Sequence, residues 1–230
     1  MEMILIPAGA FTMGGTTNLD EQPERLLTLD AYMIGRTPVT VHQFKGFCTE
    51  TGFDFSTIEV PRWLWIDDHP IVNVTWYEAR AFCKWAGGDL PTEAQWEKAA
   101  RGTDSRAYPW GNDFDVSHLR CSRAKIGDSK ATARVGSFPS GASPYGCLDM
   151  SGNVWEWCLD HFAARYSARA KHNPTGPRSG RDRVMRGGSW DLTNPELFRC
   201  ANRFDNDPSY CQDTDGFRLV CPVKDGSLIA

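Results

Sequence analysis

Apolar residues recur at helical spacing in three stretches of this chain, and each stretch opens on a threonine followed three residues later by Gln or Glu: Thr40 with Gln43, Thr75 with Glu78, and Thr92 with Gln95. A threonine hydroxyl that accepts from the third helical amide, with a side chain at that position bonding back, is the capping box that starts a helix. After Thr40, residues Val41, Phe44, Phe47 and Cys48 share one face, and after Thr75 so do Trp76, Ala79, Phe82, Cys83 and Ala86. Gly52 and the Gly87-Gly88 pair are predicted to stop these helices. The third helix is predicted from about Glu93 to Arg101, with Trp96, Ala99 and Ala100 inward and Gly102 as its stop. The opening residues MEMILIPAGAFTM, with an early acid and a proline, read as a strand and turn and not as a signal peptide. Elsewhere the pattern predicts short strands joined by long connections rich in Gly, Pro, Ser, Asn and Asp, notably Thr103 to Gly146 and Ser167 to Arg183. Compact domains hold that much irregular chain through bound ions, side-chain hydrogen bonds or function.

Composition narrows the picture. With 230 residues, no internal repeat and no linker-like break, the expectation is one domain over 1–230, and nine Trp and twelve Phe supply a core. The net charge of -4, with both signs interspersed, argues against a nucleic-acid partner. No run approaches the length of roughly 18 apolar residues that a membrane helix needs, so no direct membrane insertion is expected. The eight cysteines show neither C-x-x-C pairs nor zinc-type His spacing, and Cys48 and Cys83 read as buried thiols on apolar helix faces. Compartment stays undecided, with display on a cell or virion surface among the options.

Four blocks point further: IPAGAFTMGG (6–15), HPIVNVTWYEARAFCKWAGGDLPTEAQWEKAARG (69–102), YPWGN through VGSFPSGASPYGCLDMSGNVWEWCLD (108–160), and RVMRGGSW with GFRLV (183–190 and 216–220). In this order and spacing the chain resembles the formylglycine-generating (sulfatase-modifying) enzyme family over nearly its whole length. The resemblance implies an α+β domain with a C-type lectin-like fold: a small twisted antiparallel sheet, two main helices and extensive ordered loops.

Within LDMSGNVWEW, carboxylates at Asp149 and Glu156 flank the Ser151-Gly152-Asn153 turn, a combination that can gather oxygens around a calcium ion. The resemblance implies structural calcium through Asp149, Gly152, Val154 and Glu156; the alternative is that the two carboxylates only brace a tight turn. A second calcium position would fall near Leu119 to Ser122, where Cys121 and Arg123 are poor oxygen donors. Active relatives oxidise a substrate cysteine through two cysteines that bind copper just after the Gly-Gly-Ser-aromatic strand, chemistry that requires soft thiolates. Here Gly187-Gly188-Ser189-Trp190 is followed by DLTNPELFR, with Leu192 and Leu197 where the resemblance places the thiols. Copper and oxidase activity are therefore not expected.

The stretch from Asp191 to Asp215 mixes aromatic, small polar and acidic residues between fixed blocks. Read as an alternating strand, Arg199, Ala201 and Arg203 face inward, and Phe198, Cys200, Asn202 and Phe204 face outward with Asp205, Tyr210 and Asp213 around them. Rigid rings among adaptable polar groups make a binding surface. The arrangement resembles the variable proteins of diversity-generating retroelements, in which such a segment is rewritten at adenine-containing codons. Region 183–220 is the candidate variable region. Its candidate ligand-binding residues are Asp191, Leu192, Thr193, Phe198, Cys200, Asn202, Phe204, Asp205, Tyr210, Asp213 and Thr214, facing a protein or cell-surface ligand. Gln212 and Glu196 are not reachable from Asn codons and would be fixed. An undiversified accessory or scaffold domain, and an oxidase with relocated cysteines, stay as alternatives.

Overall fold

A computed structural model describes residues 1–54, 65–124, 131–167 and 171–223. All three capping boxes form: in each, the threonine hydroxyl accepts from the third amide and that residue's side chain accepts from the threonine amide. The helices are α1 (Val41–Thr51), α2 (Trp76–Trp85) and α3 (Glu93–Arg101). Gly52 ends α1 in the left-handed conformation at φ 70, a position where a β-carbon is costly. The predicted apolar faces of α1 and α2 are buried against each other and against Trp155, Trp157, Met185 and Phe217, with Cys48 and Ala86 at the edge of that cluster. Helix α3 departs from the pattern. Glu93, Glu97, Lys98 and Arg101 are buried along with Trp96, Ala99 and Ala100, because its polar face meets charged partners and backbone oxygens instead of water.

Three small sheets surround these helices. Strands β1 (Met3–Ile6), β4 (Tyr32–Gly35) and β9 (Val220–Pro222) form one in the order β1-β4-β9. Strands β2 (Gly9–Met13) and β3 (Arg25–Leu29) pair antiparallel, bearing out the strand and turn expected at the start. The third, in the order β7-β6-β5-β8, joins β5 (Trp155–His161), β6 (Arg183–Arg186), β7 (Phe204–Asn206) and β8 (Asp215–Gly216). The β5–β8 pairing is parallel, with Trp155 opposite Asp215 and Glu156 opposite Gly216. The candidate variable region, 183–220, therefore spans β6, β7, β8 and the loops between them and ends on the first residue of β9. Of the long connections, 125–130 and 168–170 lie outside the described residues. Among the described residues no helix is long and apolar enough to cross a membrane.

Candidate binding surface

The frame under this surface is ionic. Arg186 on β6 donates to Glu93 and Glu97 of α3, both at 2.6 Å, and to the carbonyl of Cys200. Arg203 donates to both Glu93 oxygens at 2.6 and 2.9 Å, and Arg199 to both Glu21 oxygens at 3.0 and 2.6 Å. Burial alone would raise the Glu93 carboxyl, but Arg203 and Arg186 outweigh it and hold the pKa at about 2. Buried charges persist when paired and hydrogen-bonded in this way. The arginines at 186, 199, 203 and 218 thus turn inward and tie the candidate region to the core at four points.

Between those ties the backbone is not the alternating strand that the sequence suggested. Asn194 caps a 3-10 helix over Pro195–Phe198, a turn follows through residue 201, and β7 begins only at Phe204. Phe198, Cys200 and Asn202 are consequently buried along with Arg199, Ala201 and Arg203, so the outward assignment of these three is corrected. Gly188 makes room for Phe198: at φ +77, a β-carbon there would lie 2.6 Å from the phenyl ring. Thr214 is also buried, its hydroxyl donating to Asp215 Oδ1 at 2.9 Å.

What reaches solvent is a smaller set. Asp191, Thr193, Phe204 and Tyr210 are exposed, and Leu192, Asp205 and Asp213 half-buried. Phe204 lies stacked on Trp155, with ring centroids 5.0 Å apart and planes 24° from parallel. The Trp190 indole donates to the Asp213 carbonyl at 3.1 Å, and the Ser189 hydroxyl to Asp191 at 2.6 Å. Trp155, Trp190 and Asp215, absent from the sequence-based set, complete this surface. Asp215 lies beneath it, its pKa pushed up to about 7 by burial and by the nearby charges of Asp213 and Asp191. Trp155 and Trp190 sit inside the fixed blocks, whose residues read from sequence as framework, and Asp215 is the last residue before the block that opens at Gly216; only the sheet register shows Trp155 and Asp215 side by side.

Leu192 packs against apolar residues, and the cysteines of this region are poor thiolates: burial pushes Cys200 up to about 12 and also raises Cys211. In the predicted calcium loop, Gly152 has φ +79 and its missing β-carbon leaves room for the Arg120 carbonyl oxygen. Asp149 accepts from the Gly136 amide at 2.7 Å, and burial pushes its pKa up to about 6, against that amide and the Arg218 charge. Such a carboxylate fits a cation. Glu156 does not fit as a ligand: Arg218 holds both its oxygens at 2.6 and 2.7 Å, and the Trp96 indole donates to one at 2.9 Å. Near Leu119 to Ser122, the buried guanidinium of Arg120 serves the carbonyls of Ala131 and Cys121 at 2.8 and 2.6 Å.

A family model described as the sulfatase-modifying factor enzyme 1-like domain matches residues 1–223. The chain belongs to this family. Members of the sulfatase-modifying factor family similar to it include the formylglycine-generating enzyme of Bos taurus, 31% identical over 95% of this chain and 74% of the bovine one. A serine/threonine-protein kinase pkn1 of Chlamydia caviae is 36% identical over 97% of this chain but only 38% of the kinase, so the chain matches little more than a third of that relative. Among solved structures, PvdO from Pseudomonas aeruginosa superposes with a TM-score of 0.86 at 26% identity, covering 96% of this chain and 94% of PvdO. Treponema denticola variable protein 1 superposes at 0.78 with 25% identity, covering 96% and 95%. The fold is accordingly the α+β, C-type lectin-like fold of the sulfatase-modifying factor family, as the sequence blocks implied.

Proposed function

We propose that this member of the family is a non-catalytic ligand-binding protein that displays Asp191, Leu192, Thr193, Phe204, Asp205, Tyr210 and Asp213 to a protein or cell-surface ligand. The observation that carries this reading is the exchange after Trp190. Leu192 and Leu197 occupy the positions to which the family resemblance assigns the copper thiolates, and exposed rings and short polar side chains ride on a frame anchored by buried arginines. Rigid aromatic contacts on an anchored frame lose little entropy on binding. Likeness to the Treponema denticola variable protein supports a surface diversified at the coding level. Inspection of the flanking DNA tests this: a reverse transcriptase and a near-copy of the 183–220 coding segment, differing at adenines, are expected, and their absence overturns diversification.

A second reading, an undiversified accessory domain, draws support from the match to one part of a longer kinase. It shares the binding surface but not the template copy. Likeness to the bovine formylglycine-generating enzyme favours an oxidase; stoichiometric Cu(I) binding together with conversion of a Cys peptide to an aldehyde would establish that activity and overturn the non-catalytic reading. The proposal includes structural calcium at Asp149 with the Gly152 and Val154 carbonyls, supported by the buried Asp149 carboxylate, which has no ion pair among the described residues. A melting temperature lowered by EDTA and restored by excess Ca2+ is expected, and an unchanged one overturns the site.

A further inference from the structure

The surface proposed above has an uncompensated charge. Asp191, Asp205, Asp207, Asp213 and Asp215 lie between residues 191 and 215, and the basic residues of that stretch, Arg199 and Arg203, are both buried on Glu21, Glu196 and Glu93. None of the five aspartates has an ion pair among the described residues. Asp215 is the most demanding of them. It is 2% exposed, one oxygen takes the Thr214 hydroxyl, and Oδ2 has no hydrogen-bond partner. Because β8 runs parallel to β5 with Asp215 opposite Trp155, both side chains lie on one face of the sheet, the face on which Phe204 stacks over Trp155. The neighbouring Gly216 looks the other way, toward Ile71 and Val154. A buried carboxylate with an unfilled oxygen, ringed by like charge, is costly unless a partner arrives from outside.

We infer that Asp215, Asp213 and Asp191, beside the Trp155–Phe204 stack, bind the ammonium or guanidinium group of a lysine or arginine side chain on a protein ligand. This inference rests on the binding-surface reading and names what that surface takes. Among the described residues Asp215, Asp213 and Asp191 do not converge as a three-carboxylate metal site, an arrangement that suits an extended organic cation better than a metal ion. A guanidinium spans separated carboxylates with several N–H donors, and its face also lies well on an indole or phenyl ring. An anionic membrane or a nucleic acid would be repelled by the same carboxylates.

The test pans a phage-displayed random peptide library on the whole protein and measures the selected peptides, resynthesised, by calorimetry. Selected peptides are expected to be enriched in Lys or Arg. Replacing the key residue by norleucine or citrulline, or introducing Asp213→Asn, is expected to weaken binding by about tenfold or more, the scale of losing a charge-assisted contact. Asp215→Asn keeps the Thr214 hydroxyl bond and removes the buried charge. It is expected to weaken binding while raising the melting temperature at a pH of about 8, a combination that a merely structural aspartate does not produce. Peptides that lack basic residues, or whose binding ignores both substitutions, overturn the cation assignment and leave the surface standing. A library that yields no binder overturns the surface reading and this inference with it.

Discussion

Arg186 has no exposed surface, and it is the cation between Glu93 and Glu97. Truncating it takes one cation from each of two buried carboxylates, leaving Glu93 to Arg203 and Glu97 to Arg101, so Arg186→Ala is expected to lose about 3 kcal/mol in urea unfolding, the low end of the range for breaking a buried pair. Phe198 and Phe204 show how differently two phenylalanines of one segment behave. Phe198→Ala is expected to cost about 3–5 kcal/mol of stability, as for a ring removed from a packed core. Phe204 is 44% exposed; Phe204→Ala is expected to leave the unfolding midpoint nearly unchanged while selected ligands lose at least about tenfold in affinity, as at an aromatic anchor. Equal destabilisation by the two would argue that Phe204 is core. Composition shows both rings, but their burial depends on where Gly188 and Trp155 lie, which no local pattern around residue 198 or 204 encodes.

At the scale of elements, the helix starts were the most legible feature, because a capping box is a local exchange of two hydrogen bonds three residues apart. Thr92→Ala removes one of them from α3 and is expected to cost about 1 kcal/mol, read as a shift in the denaturation midpoint at unchanged slope. The polar face of α3 was illegible for the complementary reason. Glu93, Glu97, Lys98 and Arg101 look solvated in sequence, and their partners Arg186, Arg203, Gly14 and Pro7 are supplied by distant segments. The stretch from Pro195 to Arg203 failed as a strand because Pro195 and the Asn194 cap start a 3-10 turn, after which Arg199 and Arg203 are pulled inward onto Glu21 and Glu93.

For the whole molecule, four buried carboxyls set opposing dependences on pH. Glu93 sits at about 2, below its ordinary 4.5, so its stabilising contribution is present above about 4.5 and lost as pH falls toward 2. Burial, the largest influence on each, pushes Asp149 to about 6 and Asp160 and Asp215 to about 7, above the ordinary 3.8. The folded protein holds those protons more tightly than the unfolded chain does, so stability declines as pH rises from about 3.8 through 7. Urea midpoints in calcium-free buffer are therefore expected to peak near a pH of about 4–5 and to fall on both sides; a steady rise to a pH of about 8 would contradict the assignments. The sequence by itself determined the three helices, the family blocks and the absence of thiols at positions 192 and 197, since each is written in residues close together or in their spacing. The tertiary structure decided which residues of the 191–215 stretch face outward, that Glu156 serves Arg218, and that Asp215 lies beside Trp155 with one oxygen unfilled. These depend on sheet register and on charges brought together across as many as 178 positions, as between Arg199 and Glu21, and a long-range pairing leaves no periodic trace in either strand of chain that makes it.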